Sequence, residues 1–169
     1  MNYFELYEIP FSLSPDKELV KRKFYELSRK YHPDFYMNAD TEEQAEALQR
    51  SADVNKAFKV FSNRDETIKY LLQQKNLLEE EEKYQLSPDF LMEMMELNEQ
   101  LMDAKMENDE TAFENIKQQI GNIEAGIYQP VSKIIEQYKE GITSEEELLQ
   151  VKDYYYKKKY LRRILEGMH

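Results

Sequence analysis

The chain has 169 residues, 23 of them basic and 34 acidic, which gives a net charge of -11. That excess of negative charge argues against a nucleic-acid partner, because binding a phosphate backbone relies on clustered Lys and Arg that displace counterions. With no cysteine, no tryptophan, four glycines and five prolines, the composition favours helices over turn-rich sheet and excludes disulfides, thiolate nucleophiles and Cys-bound metals.

Taken in chain order, residues 3–8 form a short opening helix that Pro10 ends. Ser14-Pro15-Asp16 supplies an N-cap and a proline at the first helical position for a second helix that runs to Tyr31, where Pro33 stops it. On a 3.6-residue period Val20, Phe24, Leu27 and Tyr31 share one face, and Lys21, Arg22, Tyr25 and Arg29 share the opposite one. One face is core and the other is basic.

Thr41-Glu42-Glu43-Gln44 fits a capping box that opens a third helix to about Phe61, antiparallel to the second, with Ala47, Ser51, Val54, Phe58 and Phe61 inward. A further helix over 65–74 completes a small bundle. The composition then shifts. Residues 1–72 carry 11 basic and 13 acidic side chains, whereas 73–169 carry 12 and 21. The run Glu79-Glu80-Glu81-Glu82 offers no packing face and reads as a solvated linker.

Three longer helices follow, over 88–107, 110–139 and 145–166. Asp109 and Ser144 stand as N-caps, the latter closing a capping box with Glu147, and Gly141 marks the end of the middle helix. Pro130 predicts a kink in that helix. In the first of the three, Phe90, Met94, Leu97 and Leu101 form a core stripe, while Leu91, Met95 and Met102 form a second stripe about 100° away. Met92, Glu96, Glu99 and Asp103 lie beyond it. Two readings remain open: a helical bundle covers both stripes, or the second is a protein-binding surface, for which adaptable methionines and a carboxylate rim are suited.

His32-Pro33-Asp34 sits in the connection between the basic helix and its antiparallel partner, where proline stiffens a loop tip. His32 as a general base would need a third group and a pocket, neither of which the sequence signals. Only His32 and His169 could offer imidazole to a metal, so no metal site, no cofactor and no catalytic residue are expected. No run approaches the roughly 18 to 20 apolar residues that span a bilayer, and Met1-Asn2-Tyr3-Phe4-Glu5 has neither the basic nor the apolar region of a signal peptide. A cytoplasmic chain with no membrane partner is the expectation.

A His-Pro-Asp loop between a basic helix and an antiparallel apolar-faced helix, after Tyr3-Phe4-Glu5-Leu6, resembles the J-domain. Gln49-Arg50-Ser51-Ala52-Asp53-Val54-Asn55-Lys56-Ala57, then Tyr70-Leu71-Leu72, then Phe90-Leu91-Met92-Glu93-Met94-Met95-Glu96-Leu97, is similar to the HscB family of J-proteins dedicated to iron-sulfur cluster biogenesis. The resemblance implies an all-α chain: a J-domain over 1–75, a linker over 76–86, and an antiparallel three-helix bundle over 87–169. It implies that His32, Pro33 and Asp34, with Lys21, Arg22, Tyr25 and Arg29, dock on a seventy-kilodalton heat-shock chaperone of the HscA or DnaK type and stimulate its ATP hydrolysis. It also implies that Leu91, Met92, Met95, Glu96, Glu99 and Asp103, with Tyr160 in the last helix, bind the cluster scaffold protein, IscU-like. The chain departs from the family where Phe35-Tyr36 stands in place of a basic residue and where Asn63-Arg64-Asp65-Glu66-Thr67 lacks the usual proline. The rivals are a J-protein with another client, a hydrolase using His32 and Asp34, and an inert helical scaffold.

Overall fold

The computed structural model describes residues 1–168, so His169 lies outside the described residues. Every regular element in them is helical: α1 (Tyr3–Tyr7), α2 (Lys17–Lys30), α3 (Thr41–Phe61), α4 (Arg64–Gln74), α5 (Pro88–Glu107), α6 (Glu110–Tyr128), α7 (Ser132–Glu136) and α8 (Glu145–Glu166), with 3-10 turns at Pro33–Tyr36 and Gln129–Val131. Two compact units emerge, Met1–Leu77 with Ile135–Thr143, and Leu78–Ile134 with the chain from Ser144 onward. Among the described residues no helix is long and apolar enough to cross a membrane.

In the first unit α2 packs on α3 as an antiparallel pair, with α1 and α4 also against α3. Val20 and Leu27 of α2 meet Ala47, Val54, Ala57 and Phe61 of α3 in a core that also buries Phe4, Leu13, Ile68, Leu71 and Leu72. Tyr7 sits fully inside it, and its hydroxyl donates to the Val54 carbonyl at 2.7 Å, so no buried polar atom is orphaned there. Burial pushes the Tyr7 phenol well above its ordinary range. Tyr3 and Tyr70 stack with ring centroids 4.7 Å apart and planes 7° from parallel, which ties α1 to α4. In the returning segment of this unit, Glu140 pairs with Lys75 and accepts from the Tyr138 hydroxyl at 2.5 Å.

Two caps differ from the sequence expectation. Asp16, not Ser14, caps α2, its Oδ1 accepting from Glu18 N–H at 2.9 Å, and helix therefore begins at Lys17, beyond Pro15. Asp40, not Thr41, caps α3, accepting from Glu43 N–H at 2.8 Å. A nearby carboxylate outcompetes the hydroxyl because it also complements the positive helix end. Asn63 caps α4, its Oδ1 accepting from Glu66 N–H at 3.1 Å, so this helix starts without a proline.

The second unit is built on α5, α6 and α8, with Phe90, Met94, Leu97, Leu101 and Ala104 facing Ile116, Ile120, Leu161 and Ile164. The capping box of Ser144 and Glu147 is present. The middle helix is not continuous to residue 139: α6 stops at Tyr128, a 3-10 turn carries Pro130, and α7 ends at Glu136. Proline lacks the N–H that the ladder needs at that point. Gly141, at φ 82°, therefore serves a separate turn before α8 and caps no helix.

The glutamate run is not wholly solvated. Glu82 accepts from Lys152 Nζ at 2.6 Å and from the Tyr156 hydroxyl at 3.3 Å, while Tyr84 donates to Asp153 at 2.8 Å and stacks on Tyr156 at 4.6 Å. The segment is strapped to α8. Burial alone would raise the Glu82 carboxyl, but the hydrogen bonds from Lys152 and from Glu79 N–H, with the Lys152 charge, outweigh it and hold the group below its ordinary value. Burial, followed by the Asp153 hydrogen bond, pushes the Tyr84 phenol up to about 12. A carboxyl depressed in the folded state adds stability that is full above its unfolded value of 4.5 and is lost as pH falls through the folded value. Glu82→Gln should therefore lower stability at pH 7 by about 1 to 3 kcal/mol and flatten the decline of the denaturation midpoint below pH 4.5 relative to the native chain. Parallel acid profiles would remove Glu82 as the group responsible.

Candidate functional site

The loop after α2 is shaped by its own residues. His32 is extended, at φ -64° and ψ 133°, the region left to a residue that precedes proline, and Pro33 then opens the 3-10 turn Pro33–Tyr36. Asp34 N–H donates to His32 Nδ1 at 3.2 Å, and an Asp34 carboxylate oxygen lies 3.6 Å from the same nitrogen. Both side chains remain largely in solvent, 54% exposed for His32 and 79% for Asp34, so neither contributes core packing. Phe35 is exposed beside them, its ring edge-on to His32 with centroids 6.5 Å apart.

What holds this loop was not legible in the motif. Gln44 Nε2, one turn into α3, lies 3.0 Å from the Tyr36 carbonyl and 3.3 Å from those of Met37 and Ala39, while the Tyr36 hydroxyl donates to the Lys30 carbonyl at 3.1 Å. Gln44 thus braces the loop and closes no capping box. Three carbonyls converge on one amide only after the turn has formed, and no spacing in the sequence announces that.

Lys21, Arg22, Tyr25 and Arg29 all lie on the side of α2 away from Val20 and Leu27, and none of the three cations joins an ion pair among the described residues. Tyr25 and Arg29 line a cleft of about 670 Å³ together with Ser28, His32, Asp34 and Phe35. The loop and the basic face are therefore one continuous surface. Among the described residues no group of three or more His, Cys, Asp or Glu could hold a metal ion.

On the second unit, α5 starts at Pro88 behind a Ser87 cap whose Oγ accepts from Phe90 N–H at 3.3 Å. Met94 is 0% exposed and belongs to the core, whereas Leu91 is 36%, Met92 61% and Met95 60% exposed. The bundle leaves this stripe uncovered. Glu96, Glu99 and Asp103 are exposed on the same helix and give it an acidic margin. Tyr160 of α8 is half-buried and meets Phe90 edge-on with centroids 6.3 Å apart, which places it at the N-terminal end of α5. Met102 and Met106 extend the exposed apolar side further down the helix. Met106 went unremarked in the sequence, although its i, i+4 spacing from Met102 was readable.

Residues 86–169 match a family model described as the HSCB C-terminal oligomerisation domain. The co-chaperone protein HscB homolog of Photobacterium profundum is 34% identical over 122 residues, 71% of this chain and 71% of that protein. The chain belongs to the HscB co-chaperone family. An HscB homolog of Vibrio vulnificus is 38% identical over 102 residues, 60% of each chain. The crystal structure of the human co-chaperone HscB superposes with a TM-score of 0.79 at 25% identity, over 99% of this chain and 80% of the human one. An HscB co-chaperone is not an enzyme, so His32 and Asp34 form no catalytic dyad and the hydrolase alternative falls.

Proposed function

We propose that the chain stimulates the ATPase of an HscA- or DnaK-type heat-shock chaperone and delivers an IscU-like iron-sulfur scaffold protein to it. The observation that carries this reading is the presence of two different exposed surfaces on one HscB chain: a braced His-Pro-Asp loop continuous with an unpaired basic helix face on the first unit, and an uncovered methionine stripe with a carboxylate margin on the second. In this assignment residues 1–75 act as the J-domain and 87–169 hold the scaffold.

The chain works as an adaptor, and catalysis belongs to the chaperone. His32, Pro33 and Asp34, with Tyr25 and Arg29 beside them, contact the chaperone, and they speed hydrolysis only if that contact is stronger in the hydrolysing state than in the resting one. Leu91, Met92 and Met95 bury against the scaffold, Glu96, Glu99 and Asp103 select it electrostatically, and Tyr160 borders the contact. Adding this chain to a purified chaperone of this type should raise its ATPase, and adding an iron-sulfur scaffold protein should raise it further. Stimulation by the chain with no effect of the scaffold would favour a different client, and no stimulation at all would overturn the proposal.

The basic face acts over distance, since charges in solvent steer association and are screened beyond about 10 Å at 0.1 M salt. Reversing Lys21, Arg22 and Arg29 to Glu should therefore slow chaperone association by roughly tenfold or more at low salt, with scaffold binding unchanged, and added salt should weaken the native contact. A salt-independent association rate would reduce the face to solvated charge.

A further inference from the structure

The sulfur chemistry of this chain is concentrated on one helix face. Of eight methionines, five lie in α5, and the chain has no cysteine. Met94 is 0% exposed, but Met92, Met95, Met102 and Met106 are 61%, 60%, 64% and 81% exposed. Spaced at i, i+3, i+10 and i+14, these four fall within one arc of the helix at 100° per residue. Thiolates ordinarily intercept oxidants ahead of thioethers, and here there are none to do so.

We propose that the α5 face is an oxidant-responsive site at which methionine sulfoxide formation switches off scaffold binding. This rests on the scaffold-binding reading of Leu91, Met92 and Met95. The co-reactant is a hydroperoxide. The thioether sulfur attacks the distal peroxide oxygen, the O–O bond breaks as the S–O bond forms, sulfur gives up two electrons, and the departing oxygen takes the proton from the transferred hydroxyl to leave as an alcohol, or as water when the oxidant is hydrogen peroxide. Each event replaces an adaptable apolar contact with a strong hydrogen-bond acceptor that a partner would have to desolvate. The new oxygens stand beside Glu96, Glu99 and Asp103, which are already acceptors; Met92 has no donor side chain at i±3 or i±4 on α5, and Asn98 beside Met95 and Met102 and Lys105 beside Met102 are the donors next to these methionines on the helix. Met94 stays protected by the bundle, so the fold is retained while the surface changes character. A methionine sulfoxide reductase with a thiol reductant reverses the step.

The test oxidises the purified full chain with hydrogen peroxide, removes the oxidant, and only then adds an untreated iron-sulfur scaffold protein. Peptide mass spectrometry should show sulfoxide at Met92, Met95, Met102 and Met106 before Met94, with an unchanged thermal midpoint. Scaffold affinity should fall by about tenfold or more and return after treatment with the reductase. The variant carrying M92L, M95L, M102L and M106L is compared with its own untreated sample, so its starting affinity is immaterial, and peroxide should leave its affinity where it began. Failure of the untreated native chain to bind the scaffold would refute the underlying reading. Binding that is equal before and after oxidation, or a loss that the reductase does not reverse, would overturn the switch alone.

Discussion

His32→Gln is expected to abolish stimulation of the chaperone's ATPase while leaving the helical circular dichroism and the thermal midpoint nearly unchanged. The imidazole is more than half exposed, and its one hydrogen bond among the described residues, from Asp34 N–H, is 3.2 Å long. The loop does not depend on it. Pro33 restricts the backbone, Gln44 braces three carbonyls from the far side, the Tyr36 hydroxyl holds the end of α2, and Asp40 caps α3 independently. A change at such a surface position costs about 0.5 kcal/mol or less. Stimulation lost with stability intact assigns His32 to the chaperone contact. A stability loss of about 1 to 3 kcal/mol would mean that the imidazole is a structural hydrogen-bonding group, and stimulation that survives the substitution would sink the J-domain assignment.

How much of this was readable beforehand depends on the range of the interactions involved. The limits of α5 and α8 and the Ser144–Glu147 box follow from residues within one turn of each other, so local sequence determines them. The caps of α2 and α3 were displaced because Ser14 and Asp16, or Thr41 and Asp40, are neighbouring candidates, and the one-turn signal does not show that the carboxylate, which also complements the helix end, takes the cap from the hydroxyl. Pro130 was visible, but whether a proline bends a helix or ends it depends on the packing around it, and here α6 yields to a 3-10 turn. The Glu82 strap joins residues 70 and 74 apart in sequence. A run of like charges shows nothing of partners that far along the chain. The loop motif and the methionine stripe stood out because residue types define them, whereas Gln44, which braces the loop, is defined by geometry alone.

The exposures on α5 turn the second large effect into a separable measurement. The sequence left two readings for Leu91, Met92 and Met95, buried stripe or binding surface, and they predict opposite results for the triple change to Ala. A fully buried large side chain costs about 2 to 5 kcal/mol of stability when truncated, as expected for Met94, which is 0% exposed. Leu91, Met92 and Met95 are instead exposed to solvent at 36% or more, and alanine favours an exposed helix position, so the denaturation midpoint should hardly move. The loss belongs to binding. Anchors at an interface contribute about 1 to 2 kcal/mol or more each, so the triple variant should bind the scaffold roughly a hundredfold more weakly or worse, equivalent to about 3 kcal/mol, and should still stimulate the chaperone in the scaffold's absence. Partial retention would point to Tyr160 or the Glu96–Glu99–Asp103 margin as the stronger contributors, because these remain in place. A folded variant that stimulates the chaperone and binds the scaffold with native affinity would remove α5 as the docking surface and leave only the loop and basic face of the first unit as a functional site.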